Sequence, residues 1–428
     1  MSIFRAVPLG AVCLLFAVTL NAAQRSDQTP IPPSASVAPA PLQAAVRRLW
    51  DASPDVQASR VQLDAARARA DAAARPLYNP TLALDAEDAD VNRRTAGLSL
   101  TLDLSGKRHA RASQGSAQLR VSEARDTLVR RDIAARWLKA WSATVLAERQ
   151  NLLGQRRLAL MQRFDELAAQ RLKVGDISSP ERDLAGLALG EAQVQQAALV
   201  ADEAAARASL QAVGAGQVAN LPALPDDLPP SLAAAPAART SDELPELVQA
   251  RAEQDSAEAG VRMAQRARIP DPIVSLTGGQ VRNGPVSDRV VGLSVSIPLP
   301  VLNTGRAEVA AAQAQAEAVA ADARARRQVL DASLVEARTR YAAMRTAATA
   351  FRGGRAAAFE DRTALLEKLW RAGEISTSDY LVQLKQSLDT ALSGLELERR
   401  AWQAWFDYLA AAGRLTDWID GRSQEISR

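Results

Sequence analysis

One unit is written twice along this 428-residue chain, and that duplication constrains the fold more than any single motif. Ser53-Pro54-Asp55-Val56 opens the first copy and Leu244-Pro245-Glu246-Leu247 the second. Asn79-Pro80-Thr81-Leu82 recurs as Asp271-Pro272-Ile273-Val274. The run Gly97-Leu98-Ser99-Leu100-Thr101-Leu102 recurs as Gly292-Leu293-Ser294-Val295-Ser296-Ile297. Gly106-Lys107 returns as Gly305-Arg306, and Lys173-Val174-Gly175-Asp176-Ile177-Ser178 as Arg371-Ala372-Gly373-Glu374-Ile375-Ser376. The landmarks keep one order, and their offset drifts only slightly.

Each copy reads helix, strand, strand, long helix, glycine turn, helix. In the first copy a helix is expected over 42–75, closed by Pro76. Residues 81–87 alternate with Leu82, Leu84 and Ala86 on one face. Residues 97–105 alternate Leu98, Leu100, Leu102 and Leu104 against Ser99, Thr101, Asp103 and Ser105, the period of a strand with one apolar and one polar face. In the second copy the strands are expected over 272–280 and 290–299. The segments 88–96 and 280–290 are polar and read as connections. No proline interrupts Lys107 to Val174, so one helix of roughly 100 Å is predicted there. Ile133, Trp137, Trp141 and Val145 give it a packing stripe. Gly175 ends it as a glycine just past a helix should, and a shorter helix restarts and runs to 213. Arg306–Ala372, Gly373 and a helix over 379–412 repeat the pattern. In the first copy the two shorter helices, laid end to end, match the long one; in the second the match is looser. The resulting division is a signal peptide at 1–23, a Pro/Ala-rich linker at 24–41, a first repeat at 42–213, a Pro-rich linker at 214–240, a second repeat at 241–413 and a tail at 414–428.

Composition removes several function classes. Basic and acidic side chains number 52 and 49, for a net charge of +3, so a basic nucleic-acid-binding face is not expected. One His and one Cys exclude a His-based triad or a His/Cys metal centre. No phosphate loop or nucleophile–base pair appears, so an enzyme is not expected, and no cofactor is called for. Arg5, the apolar run Ala6–Leu20 and the small residues Asn21-Ala22-Ala23 make a secretory signal peptide; an uncleaved anchor is the alternative. Cys13 lies inside that run and leaves with it. No later stretch is long and apolar enough to be a spanning helix.

The strands must therefore find their apolar environment elsewhere. Four strands of about nine residues with one apolar face suit an outer-membrane barrel, but four cannot close one, and open edges are not tolerated in lipid. Several chains must share the barrel. Three would supply about twelve strands, enough for an aqueous lumen. The helices then project from one side of the membrane as a tube. Ordinary hairpins in a soluble helical protein are the alternative, but the chain offers no core to cover them. Aromatic girdles are sparse, Tyr78 being the only Tyr or Trp near a strand end.

The repeat of helix, strand pair, long helix, Gly turn and helix resembles the TolC-type outer membrane efflux proteins over about 42–413. The resemblance implies a mainly α fold with a small β part. It implies a homotrimer with a 12-stranded outer-membrane β-barrel continued by a 12-helix periplasmic α-barrel. It further implies an exit channel of a tripartite pump, in the outer membrane of a Gram-negative bacterium, with a periplasmic adaptor (membrane fusion protein) and an inner-membrane RND-type transporter as partners. Leu102-Asp103-Leu104-Ser105-Gly106-Lys107-Arg108 with Arg111, and Ser296-Ile297-Pro298-Leu299-Pro300-Val301-Leu302-Asn303 with Gly305, look like the cobalt–zinc–cadmium (CzcC-like) branch, which implies heavy-metal cations as cargo. Drug export or type I secretion is the alternative cargo within this fold. A periplasmic coiled-coil adaptor or structural protein is the alternative of another class.

Site expectations follow. Ser99, Thr101, Asp103, Ser294 and Ser296 are expected to face the lumen, and a polar lining without selectivity explains them equally. Gly106 and Gly305 permit the bend from strand to helix, Lys107 follows that bend, and Pro298 and Pro300 end ladder pairing. His109, Met161, Met263 and Met344 are the mature chain's only soft ligands, and they are scattered, so no metal site is expected. By resemblance, the turns carrying Lys173, Gly175, Asp176, Arg371, Gly373 and Glu374 meet the adaptor. By resemblance also, Glu181, Asp183, Asp379 and Tyr380 narrow the tunnel mouth, where three copies of each acid would form a cation-attracting ring. Helix N-terminal charges favoured by the dipole are the competing reading for the acids.

Overall fold

The computed structural model describes residues 37–214, 221–354 and 359–421; the expected signal peptide, its Cys13 and most of the first linker lie outside them. Two helices, α1 (Ala40–Ala52) and α2 (Pro54–Ala74), replace the single helix expected over 42–75. Ser53 between them is extended, because a residue before proline is pushed out of the helical region.

The strands are β1 (Thr81–Glu87), β2 (Val91–Thr101), β3 (Ile273–Asn283) and β4 (Val286–Ser296). They form one antiparallel sheet in the order β1-β2-β3-β4, so the two copies meet at the β2–β3 seam and β1 and β4 are its edges. The expected strand ends need correction. β2 starts at Val91, not 97, and stops at Thr101, not 105; β4 starts at Val286, not 290, and stops at Ser296, not 299. Ladder pairing outweighs side-chain polarity at the hairpin ends. Asn92, Arg93 and Arg94 pair across to Arg282, Val281 and Gln280. Only Gly284-Pro285 joins β3 to β4, with Gly284 at φ 57°. Below the sheet, 102–106 and 297–305 are irregular, and Pro298 and Pro300 stand outside the ladder they cannot donate to.

Helix α3 (Lys107–Lys173) is unbroken over 67 residues, roughly 100 Å. Helix α2 lies along its first part: Gly115 faces Ala70 and Ala73, and the Trp50 indole of α1 donates to Arg130 O (3.0 Å). Helix α4 (Ser179–Val213) lies along the rest, with Thr144 Oγ1 donating to Ala206 O (3.1 Å) and Arg182 forking onto Asp165. The second copy departs from expectation. After α5 (Pro245–Ala267) the predicted helix over 306–372 is divided into α6 (Arg306–Gly353) and α7 (Phe359–Arg371). Gly353-Gly354 explains the stop, since two glycines are poor helix formers and Gly354 is extended. α8 (Thr377–Ala411) returns alongside α6 and also crosses to the first copy, where Arg157 pairs with Asp389 (2.8 Å).

Two apolar cores hold the helices. The larger gathers Trp137, Trp141, Tyr341, Trp402, Trp405, Phe406 and Trp418. The second, nearer the turns, gathers Met161, Phe164, Trp370, Tyr380, Leu384 and Leu388. The Pro-rich stretch expected as a loose linker is, over its described part 221–240, a belt on the larger core. Leu224 is buried there, and belt carbonyls accept from Trp141 Nε1 (Pro222, 2.9 Å), Arg345 Nε (Pro229, 2.8 Å), Tyr341 Oη (Pro230), Tyr408 Oη (Pro236, 3.1 Å) and Arg414 Nε (Ala237, 2.8 Å). The tail also joins this core: α9 (Leu415–Asp420) buries Leu415, Trp418 and Ile419. Among the described residues no helix is long and apolar enough to cross a membrane.

Candidate functional site

Register assigns every strand residue to a face. Leu82, Leu98, Leu276 and Leu293 form one cross-strand row. The rows beside it are Leu100, Val274 and Val295, and Leu84, Ala96, Gly278 and Val291. Leu82, Leu84, Leu276, Leu293 and Val291 are exposed, the last by 81 %. The opposite face carries hydroxyls: Thr81, Ser99, Ser275 and Ser294 in one row, Thr101 and Ser296 in the next. The structure thus brings Ser99, Thr101, Ser294 and Ser296 to a common polar face. It does not bring Asp103 there.

Asp103 lies beyond the strand, and its carboxylate accepts from the backbone N–H of Lys107 (2.9 Å) and Arg108 (2.7 Å). It therefore caps the start of α3, which Gly106 enters at φ 76°. In the second copy Gly305, at φ 66°, enters α6 alike, with Asn303 Oδ1 accepting from its N–H (2.9 Å). The cations of the Gly-Lys-Arg segment have structural partners. Arg108 Nε donates to Ala74 O (2.8 Å), and Arg111 donates to the carbonyls of Ala72, Ala73 and Arg75, all at the end of α2. Lys107 Nζ pairs with Asp271 Oδ2 (2.9 Å), which also accepts from Tyr78 Oη (2.7 Å). Asp271 is the second-copy counterpart of Asn79, so this knot ties one copy to the other.

The two glycine turns are built alike. Gly175 (φ 81°) donates to Leu172 O and Asp176 to Arg171 O; Gly373 (φ 76°) donates to Trp370 O and Glu374 to Leu369 O. This is the left-handed glycine stop that satisfies the last helix carbonyls. The turns of the two copies touch, because Arg171 stacks 4.6 Å over the Trp370 ring and donates to Arg371 O (3.3 Å). Lys173, Asp176, Arg371 and Glu374 are all exposed.

Each following helix begins with a cap. Glu181 accepts from Ser178 N–H and Oγ, both at 2.8 Å, and these bonds hold its carboxyl below the usual carboxylate range. Asp379 accepts from Ser376 Oγ (2.7 Å), which in turn accepts from Asp379 N–H (3.0 Å). The two acids are repeat equivalents with a capping duty. Asp183 is exposed. Tyr380 requires a correction: it is 3 % exposed, its ring 5.2 Å from both Phe164 and Trp370, and burial pushes its phenol up to about 12. That ring packs α8 against α3 and α7 and does not stand free at an aperture.

Asp85, Glu87 and Asp288 share the hydroxyl face near the hairpin ends, with Glu87, Arg93 and Asp288 in one row. Asp288 escapes sequence reasoning because 280–290 reads as a connection, whereas Asp85 and Glu87 lie inside the expected strand 81–87, on the face opposite Leu84 and Ala86. No three His, Cys, Asp or Glu side chains among the described residues come together as metal ligands. Met161 is buried and His109 exposed far from it.

Comparison with known proteins gives this geometry a context. The family described as outer membrane efflux protein matches residues 239–414, the whole second copy. The cobalt-zinc-cadmium resistance protein CzcC of Cupriavidus metallidurans is 25 % identical over 315 residues, covering 71 % of this chain and 74 % of that one. The nickel-cobalt-cadmium resistance protein NccC of Alcaligenes xylosoxydans xylosoxydans is 28 % identical over 255 residues; the match spans 57 % of each chain, little more than half of that relative. The crystal structure of the CmeC outer membrane channel of Campylobacter jejuni superposes with a TM-score of 0.71 at 12 % identity, covering 88 % of this chain and 86 % of the other. The second copy thus matches the outer membrane efflux protein family, and the chain shares its fold along most of its length with solved outer membrane channels.

Proposed function

We propose that this chain is the exit duct of a tripartite efflux pump and passively conducts heavy-metal cations across the outer membrane. The observation that carries the reading is the sheet. It has one apolar face, one hydroxyl face and two free edges, and it continues directly into helices up to about 100 Å long. Closing such a sheet in lipid requires an edge from another copy, so β1 of one chain pairs with β4 of the next. Three copies give twelve strands with the hydroxyl face inward. The helices extend into the periplasm.

Cation cargo is supported by the names of the two resistance relatives and by Asp85, Glu87 and Asp288 on the hydroxyl face. The exposed turns around Gly175 and Gly373 are the surfaces offered to a periplasmic adaptor, which joins the duct to an inner-membrane RND-type transporter. Asp379, Asp183 and Glu181 are the acids proposed to line the mouth there. The chain performs no chemistry on its cargo: it supplies a polar path and leaves selection to the pump.

Growth of a deletion strain, its pump intact, on graded zinc, cobalt, cadmium and nickel beside hydrophobic antibiotics and dyes tests the reading. Sensitivity to the metals is the expected result. Sensitivity to the drugs alone would keep the channel and overturn the cargo.

A further inference from the structure

The charges of the sheet are segregated by face. On the apolar face, the row beyond Leu84, Ala96, Gly278 and Val291 is Ala86, Arg94, Gln280 and Arg289, and the row beyond that holds Asn92, Arg282 and Ser287. Three of the sheet's four arginines stand there with no acid on that face; all three strand acids, Asp85, Glu87 and Asp288, and the fourth arginine, Arg93, stand on the other. Arg94, Arg282 and Arg289 are exposed, and the side chain of none of the three is hydrogen-bonded or ion-paired to another described residue. Backbone spacing puts Arg94 and Arg289, either side of Gln280, about 10 Å apart, with Arg282 one row, about 7 Å, further along.

The position of these cations along the strand matters as much as their number. Exposed apolar residues continue below the strands: Leu104, Leu299, Val301 and Leu302 are all more than 70 % exposed. From Thr101 to Ala96 the strand rises roughly 17 Å before the arginines begin, and below Thr101 the chain turns, with Leu104 N–H donating to Leu102 O. A lipid-facing arginine is costly at the bilayer midplane and nearly free at its boundary, so a row of them at the hairpin end belongs at the depth of the lipid headgroups. Barrels usually mark that depth with aromatic residues, yet none of the four strands contains one.

We propose that Arg94, Arg282 and Arg289 form a lipid-phosphate site, a basic notch on the outward face that binds the phosphates of anionic lipid in the leaflet at the hairpin end. The inference rests on the barrel reading above for which face meets lipid. Guanidinium forks match phosphate oxygens bidentately, and long basic side chains at a membrane boundary reach toward the headgroups while their stems stay apolar. In the assembled channel the notch repeats once per copy. It anchors the barrel's depth from the outside, where the chain lacks aromatic anchors.

The test uses the purified full-length channel, native mass spectrometry and lipid A, a glycolipid with two phosphates, beside the same lipid stripped of phosphate. Each protein is also scored for channel formation in planar bilayers. The expected result is that wild type and Arg93→Gln, altered on the other face, carry lipid A equally. The triple variant Arg94→Gln/Arg282→Gln/Arg289→Gln should form channels but carry at least about tenfold less. The dephosphorylated lipid should bind none of them above background, and excess inorganic phosphate should not displace lipid A. Equal retention by the triple variant overturns the site, as does equal binding of the dephosphorylated lipid, equal loss in Arg93→Gln, or full displacement by phosphate. Should the triple variant form no channels, Arg289→Gln alone is read: a loss of about threefold supports the notch, and no change sinks it. A wild-type protein that forms no channels refutes the barrel reading itself; one that forms them without binding lipid A refutes only the notch.

Discussion

Replacing Asp271 with Leu should loosen the joint between the two copies. Asp271 is 3 % side-chain exposed and accepts from both Lys107 Nζ and Tyr78 Oη. Leu fills a similar space but accepts nothing. It strands the Lys107 ammonium, whose side chain is 18 % exposed, and leaves the Tyr78 hydroxyl without its partner. Breaking a buried ion pair by removing one member costs about 3–5 kcal/mol. Lys107 keeps some access to water, so the lower end applies, about 3 kcal/mol. If the joint is already open in the unfolding transition state, that is roughly a hundredfold faster unfolding at a fixed temperature. An unfolding half-life is the right measure, because a large membrane assembly does not unfold reversibly. The partner variant Lys107→Met/Asp271→Leu removes both charges and should recover to within about 1 kcal/mol of wild type, since the cost lies in the orphaned charge and not in the missing pair. An Asp271→Leu protein less than about threefold faster to unfold would refute the argument. So would a double variant as fast as the single one.

Gly175→Ala and Gly373→Ala should each cost about 1 kcal/mol by forcing a side chain to positive φ, seen as faster hydrogen exchange confined to 169–178 or 367–376; unchanged exchange would mean the turn can be rebuilt. Asp379→Asn keeps an acceptor for Ser376 and removes the charge, so a mouth built on that charge should lose cation preference in planar bilayers, whereas a purely capping Asp379 predicts the wild-type value. An alkaline tyrosinate titration should find Tyr341 and Tyr380 still neutral when an ordinary phenol has ionised near 10, burial holding Tyr380 up to about 12. Because these pKa values are raised in the fold, stability falls as the pH climbs above about 10 and goes on falling through 12; early ionisation of both tyrosines would show that the two aromatic cores are open.

The sequence carried the architecture further than it carried the edges. Duplication, alternation and proline-free length were enough for the strand pairs, for α3 and for both glycine stops, because each rests on a local backbone rule. The strand ends were misplaced where a longer-range effect decides them. Arg93 and Arg94 look like loop residues until β3 supplies the ladder that holds them. The same error hid Asp288 and the arginines that now mark the two faces. Asp103 fitted the alternation by period and left it by capping α3, a use visible only once Gly106 turns the chain. The helix restart after each glycine turn was legible, and the structure gives Glu181 and Asp379 the capping duty there. The burial of Tyr380 was not legible, because Phe164 and Trp370 reach it from distant parts of the chain.

The belt at 221–240 has a consequence for how such a chain can have arisen and how it can be cut. A proline stretch has few N–H groups and many free carbonyls, so it offers acceptors without needing donors. Trp141 of the first copy and Tyr341, Arg345 and Tyr408 of the second spend their donors on that one strip. Neither copy satisfies these groups from its own interior. An ancestral single unit would have had to meet them with a second molecule of itself or do without them, and the two descendants are no longer interchangeable. Splitting the gene at one end of the belt, so that the strip stays whole on one fragment, should therefore yield two fragments that reach their native state only when made together.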